Sequence, residues 1–321
     1  MRFGSKVSGA PRKLCAVSVD LDEIPCYTAI HGLSLPLSEA AQQAVYRKAL
    51  PRLAALFDAH DVRGTWFAIG RDLEHAHAGD ALRKLAAQGH EIGNHSYSHR
   101  YDLTRMPEQE MRADVARGSE AVERAVGQRP RGFRAPGYTF TDTLSRVLQD
   151  LEVSYDSSVF PCPAYYAPKL LAIGAYRMLD RPTRSIPDHP RVLTAPGDPY
   201  RMSDSYTRRG NGLLELPVGV TRDQTGRLPF IGTSLTLAGR AGAELLCRLI
   251  EGRELINLEL HGIDASDAEQ DDLTGLREAQ FDLRKSAATK LDILSATLER
   301  LSRAGYSFVT LAEAAEEFER G

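Results

Sequence analysis

The chain has 321 residues, long enough for one barrel-sized domain or two ordinary ones, and 42% hydrophobic with 26% charged residues describes a protein that buries a substantial core. A formal charge of −3 and a pI near 6.3 supply no overall basic face for a nucleic-acid backbone or an anionic lipid, so nucleic acid is not an expected partner. No stretch approaches the ~18 apolar residues of a spanning helix, and the basic N-terminus lacks the apolar run of about 7 to 15 residues of a secretory signal.

The apolar pattern alternates short β-like runs with longer helical ones. Leu14 to Val19 reads as a strand and about Glu39 to His60 as a helix; Gly64 to Ile69 is a strand, Asp80 to Gln88 a helix, Glu91 to Gly93 a short strand and Glu108 to Val126 a helix. Further strands are expected at Gly132 to Arg134, Tyr155 to Ser157, Leu213 to Val218 and Leu255 to Leu260, with helices at Thr141 to Leu151 and Arg240 to Gly252. Leu291, Leu294, Leu298 and Leu301 form one apolar stripe on a late helix ending before Gly305, a packing surface, and Ser307 to Thr310 and Leu311 to Phe318 give a last strand and helix. Strands this short and apolar suit a parallel sheet covered by helices.

Eight of the 17 prolines fall between Pro161 and Pro199, a stretch that also carries Tyr165, Tyr166 and Tyr176 with little periodicity. It is expected to be an irregular insertion at about 160–212 within a single domain spanning 1–321, shaping a pocket rather than linking two domains. Cys15, Cys26, Cys162 and Cys247 show no CxxC spacing and read as buried or inert thiols, which with the missing signal points to a cytoplasmic protein.

Four segments at predicted strand ends carry chemistry. In Ser18-Val19-Asp20-Leu21-Asp22-Glu23, strand alternation puts Asp20 and Asp22 on one side. In Gly89 to His99, His95 and His99 are spaced i and i+4, so on a helical turn both imidazoles reach one ion; two imidazoles and a carboxylate suit zinc or a similar divalent metal and leave positions open. Arg131 to Tyr138 and Asn257 to Gly262 place Arg134 and His261 at the edge where α/β barrels build active sites.

With these residues in this order, the chain resembles the polysaccharide deacetylases, the NodB-homology or family 4 carbohydrate esterases, over about Leu14 to Ala315. The strongest element is Gly89 to His99, supported by Gly64-Thr65-Trp66-Phe67, Tyr155-Asp156-Ser157-Ser158 and Leu214-Glu215-Leu216-Pro217. The resemblance implies an α/β fold, a distorted (β/α) barrel of about seven parallel strands. It also implies that Asp22, His95 and His99 bind one divalent ion, with zinc the first expectation and cobalt, nickel, manganese and iron the others. Asp20 would be the general base, Arg134 would orient it, His261 would protonate the leaving amine, and the backbone N–H of Tyr138 would help hold the oxyanion.

Two departures bear on the substrate: the aspartates are separated by Leu21 and followed by Glu23, and His261 is followed by Gly262 rather than by aspartate. The expected activity is removal of an N-acyl, chiefly N-acetyl, group from an amino sugar or sugar conjugate, on a small-molecule or glycan amide substrate, with an oligomer left open. The alternatives are a deformylase or cyclic-imide hydrolase acting on a small or lipid-linked intracellular substrate, and a silent carbohydrate-binding relative. His31 reads equally as a substrate contact or a solvated loop residue, Glu215 as a support for His261 or a cap on the sheet edge, and Asp264 to Asp272 as a solvated acidic loop.

Overall fold

The computed structural model describes residues 13–320; the N-terminal stretch read for a signal lies largely outside them. Its strands are β1 (Leu14–Asp20), β2 (Thr65–Ala68), β3 (Glu91–Asn94), β4 (Gly132–Phe133), β5 (Tyr155–Asp156), β6 (Tyr200–Met202), β7 (Arg209–Glu215), β8 (Leu255–His261) and β9 (Ser307–Val309). They form one sheet in the order β6-β7-β5-β4-β3-β2-β1-β8, with β9 beside the first half of β1. Every pairing is parallel except β6 with β7, so the main path holds the seven parallel strands expected and adds an antiparallel edge. The β3–β4 and β4–β5 ladders are one and two residue pairs long, and the sheet curls as it thins. Between β7 and β8 the barrel is completed by irregular chain, through the Gly219 N–H donated to Asn257 O (2.9 Å) and an Ile231–Glu259 bridge.

The helices are α1 (Ile24–Ile30), α2 (Glu39–Gln42), α3 (Leu50–Ala59), α4 (Ala76–Ala87), α5 (Glu108–Val126), α6 (Asp142–Asp150), α7 (Pro163–Met178), α8 (Gly232–Ile250), α9 (Ala287–Arg303) and α10 (Leu311–Glu319). The main core packs Val17 and Val19 of β1 and Leu258 of β8 against Phe57 of α3, Leu82 of α4, Cys247 of α8 and the Leu294, Leu298, Leu301 stripe of α9. Removal of each such side chain from water is worth about 1.5–3 kcal/mol. All four cysteines are free and buried. Among the described residues no helix is long and apolar enough to cross a membrane.

Four expectations change. The predicted helix over 39–60 is broken: α2 ends at Gln42, a π-helical turn spans Val45–Ala49, and α3 starts with Pro51 in its first turn. The break is held by Glu23, whose carboxylate accepts the N–H groups of Val45 and Tyr46 (both 3.0 Å). The helix expected from Arg240 starts at Gly232, because Gly239 at φ +70° kinks α8 and hides its first half from a periodicity reading. The 160–212 insertion is not irregular: it holds α7, β6 and the start of β7. The 264–272 run is not a solvated loop. Asp264, Asp267 and Asp271 are buried; Asp267 accepts the N–H groups of Glu269, Gln270 and Ala287, and Asp271 pairs with Arg52 at 2.6 Å.

Candidate functional site

Strand alternation on β1 brings Asp20 and Asp22 to the C-terminal edge of the sheet, 1% and 4% exposed. From the neighbouring side, β3 delivers the histidine segment. The sequence suggested a helical turn for His95 to His99, but the structure makes an irregular one in which Ser96 (φ +62°) and His99 (φ +50°) are left-handed. Such residues cost of order 1–3 kcal/mol and persist where the surroundings over-determine them. Here Ser96 Oγ accepts the His99 N–H (3.0 Å), Asp114 of α5 accepts the Tyr97 N–H (3.2 Å), and Asn94 donates to Val115 O and Ser119 Oγ. Gly118 lets α5 come this close, since a Cβ there would lie 2.3 Å from Asn94 Oδ1.

The result is a convergence on one oxygen. His95 Nε2 lies 3.3 Å and His99 Nε2 3.1 Å from Asp22 Oδ1, and His95 Nε2 lies 3.8 Å from Asp20 Oδ2. His95 Nδ1 donates to Arg134 O (2.8 Å), which leaves the Nε2 lone pair facing the carboxylates. Asp22 Oδ1 and both ring nitrogens of His99 are buried with no aligned hydrogen-bond partner. Unsatisfied buried polar atoms cost about 1–3 kcal/mol each; Asp22 Oδ1 and His99 Nε2 face each other and, with His95 Nε2, form the donor set that a divalent cation would satisfy. Burial would raise the Asp22 carboxyl, but His99 and His95 beside it prevail and hold it well below the usual carboxylate range.

Asp20 is fixed from behind. Arg134, fully buried, donates from Nη1 to Asp20 Oδ1 (2.7 Å), from Nη2 to Ser18 and Ser157 Oγ (2.9 and 2.8 Å) and from Nε to Ser157 O (2.8 Å), with its plane 4.3 Å from the Phe67 ring centroid. Asn257 of β8 ties the same network together by donating to Ser157 Oγ (2.9 Å) and accepting from Ser18 Oγ (3.1 Å).

The polysaccharide deacetylase family model matches residues 43–155, the span that contains His95, His99, Arg134 and Tyr138. A curated peptidoglycan deacetylase of Helicobacter pylori is 27% identical over 148 residues, 46% of this chain and 49% of its own; a chitin deacetylase of Colletotrichum lindemuthianum is 33% identical over 89 residues, 27% and 36%. The chain thus spans about half or less of the curated relatives it matches. Among solved structures, a Mycobacterium smegmatis protein assigned as a polysaccharide deacetylase superposes with a TM-score of 0.58 at 20% identity, over 98% of this chain and 93% of that one. A family 4 pseudoenzyme from Bacillus anthracis does so at 0.50 and 14%, over 96% and 67%. Residues 43–155 are thus similar to the polysaccharide deacetylase family, and the described chain shares the fold of the Mycobacterium smegmatis structure.

The opposite wall of the site holds His261, at the end of β8. Its Nδ1 lies 2.8 Å from Oε1 of the fully buried Glu259, a residue not singled out from sequence although i, i+2 alternation on β8 puts both side chains on one face. Burial would lower the His261 imidazole; Glu259, with smaller help from Asp20 and Asp22, outweighs it and raises His261 well above the ordinary histidine value. Glu215 does not support His261. It accepts the Val159 N–H (3.0 Å) and sits beside Asp156, burial and that neighbour raising it well above the usual range.

Tyr138 sits in the left-handed region (φ +57°), and its N–H, expected to face an oxyanion, is donated to Ala135 O at 3.1 Å; its phenol instead reaches His261 Nε2 at 3.5 Å. Glu23, the departure after the second aspartate, is structural, and burial pushes it up to about 8. Above the site opens a cavity of about 850 Å³ whose walls include Asp20, Asp22, His95, Tyr138, Tyr165 and His261. His31 lines it too, held between Tyr176 Oη (3.3 Å) and Gln280 Oε1 (2.9 Å), so it is not a solvated loop residue. Tyr166 faces away from the cavity, donating to Asp188 O (3.1 Å) and packing against the buried cluster that includes Phe140, Leu144 and Val192.

Proposed function

We propose that this chain is a metal-dependent hydrolase that removes an N-acetyl group from an amino sugar or sugar conjugate. The observation that carries the reading is the convergence of His95 and His99 on Asp22 Oδ1 beside an aspartate whose far oxygen is clamped by Arg134. Asp22, His95 and His99 would hold one divalent ion, zinc by the chemistry of two imidazoles and one carboxylate. When bound, such an ion polarises an amide carbonyl and makes a water molecule more acidic.

The chain's own residues supply the rest. Asp20, with Oδ1 pinned by Arg134, has Oδ2 free to take a proton from the attacking water. His261, its imidazolium favoured by Glu259, gives a proton to the departing amine nitrogen as the C–N bond breaks. Tyr138 and Tyr165 offer aromatic faces in the cavity to a sugar ring, and the cavity volume is that of sites that hold one small ligand or a terminal sugar. The tyrosine N–H contributes to charge stabilisation only if its bond to Ala135 opens on binding. The whole of 1–321 acts as one domain in this reading, and four buried free thiols fit a cytoplasmic setting.

The same deacetylase reading is supported by relatives named for peptidoglycan and chitin deacetylation. Acetate release from a panel of N-acetylated monosaccharides, chitooligosaccharides and peptidoglycan fragments tests it. At least one class should be turned over by the zinc-loaded protein and not by an Asp20→Asn, His99→Ala double variant. No acetate above that control from any class would reject the reading.

A further inference from the structure

Helix α7 does not turn a polar face to water. At helical spacing, Tyr165, Lys169, Ile173 and Tyr176 line the cavity, and Lys169 Nζ donates to Gly137 O (3.0 Å). The opposite face carries Ala167, Leu170, Leu171, Gly174 and Met178, so the only charged residue before Arg177 points inward and the leucines point out. Leu171 and Met178 are 75% and 88% exposed, and Leu170, Leu171, Met178 and Leu179 are four of the seven large hydrophobics exposed among the described residues. Apolar surface gathered like this marks a docking face rather than the usual scatter.

What it docks on is indicated by charge. Arg177, Arg181 and Arg184 follow on the same stretch, exposed, and form no ion pair among the described residues, although most exposed arginines elsewhere in the chain are paired, as in Arg100–Asp102 and Arg240–Asp292. With Lys169 turned into the cavity, residues 163–184 carry three exposed cations against one anion, Asp180, in a chain of net charge −3. The overall charge therefore conceals a local patch in which apolar side chains lie next to unpaired guanidiniums, the composition of a helix that lies in a lipid interface. A second copy is disfavoured by the same charges, because a two-fold contact through this face would set the arginines of each chain against those of the other.

We propose that the outer face of α7, with the arginines that follow it, docks on a bilayer surface containing anionic lipid, seating the mouth of the cavity at the membrane. The proposal does not depend on the hydrolytic reading, since binding is measured without turnover. The full chain is sedimented with vesicles of phosphatidylcholine alone and with one quarter phosphatidylglycerol, at low and physiological salt. Binding should require the anionic lipid and weaken with salt. Leu171→Glu with Met178→Glu, neither of which lines the cavity, should weaken it at least about tenfold, and Arg177→Gln with Arg184→Gln should flatten the salt dependence, with melting temperature unchanged in both. No binding to either vesicle, or binding indifferent to both double variants, would overturn the proposal. A concentration-dependent dimer that Leu171→Glu dissolves would overturn it in favour of a second copy.

Discussion

Replacing Glu259 by Gln removes a full charge 2.8 Å from His261 Nδ1 and leaves a hydrogen-bond acceptor in its place. Glu259 is fully buried, so salt does little to screen the pair. An opposite charge at this range shifts a titration by about 1 to 3 pH units, which corresponds to about 1.4–4 kcal/mol between the two protonation states. A cation in the site would cancel much of what Asp20 and Asp22 add, leaving Glu259 as the dominant support for the imidazolium. Because the folded-state value of His261 is raised, a step that spends its proton is available at low and neutral pH and is lost as pH rises through that value. The same holds for stability: the pair contributes fully below about 6.5, the unfolded histidine value, and the contribution disappears as pH climbs through the folded one. Glu259→Gln should therefore bring the basic limb of the kcat/KM profile down by about 1 to 3 pH units. It should also lower the melting temperature at pH 6 more than at alkaline pH. NMR titration of the His261 ring reads the same shift without a substrate. A basic limb and a ring titration both unmoved would refute the coupling.

Asp20→Asn should keep the metal yet lose at least about a hundredfold in kcat, because an amide accepts a hydrogen bond but not the proton; near-wild-type turnover would mean another base. Tyr165→Ala should raise KM with little change in melting temperature, since its ring lines the cavity, whereas Tyr166→Ala should leave KM alone and cost about 1–2 kcal/mol of stability; the reverse pattern in kinetics and melts would exclude the assignment of Tyr165 to the cavity. Gly118→Ala forces a methyl to within 2.8 Å of the Ser96 carbonyl carbon and should cost about 1–3 kcal/mol together with metal affinity; an unchanged melt would show that α5 does not brace the histidine turn.

Strands β1 and β8, buried on both faces, stand out in the sequence as short apolar runs. The legible helices are those with one buried face: the stripe of α9 and the bounds of α5 follow from side chains sorted between core and water. Helix α7 was illegible for the same reason: apolar on both faces and carrying Pro168 within it, it has no period to detect. The break after Gln42 depends on Glu23, which is distant in sequence and reads as an ordinary acidic turn residue. At the site, Asp20, Asp22, His95, His99, Arg134 and His261 were all named from sequence, and the fold brings them to one end of the sheet. Glu259 was within reach of the alternation argument and was passed over. The turn that unites the two histidines was not, because it rests on two left-handed residues neither of which is glycine.

The central claim is that Asp22, His95 and His99 hold one divalent ion, and elemental analysis of the purified protein beside its His95→Ala and His99→Ala variants tests it most directly. The account predicts about one ion per wild-type chain, as one site with one open face requires, and a large loss in each variant with the fold retained by melting. Full retention of the ion in both variants would contradict it.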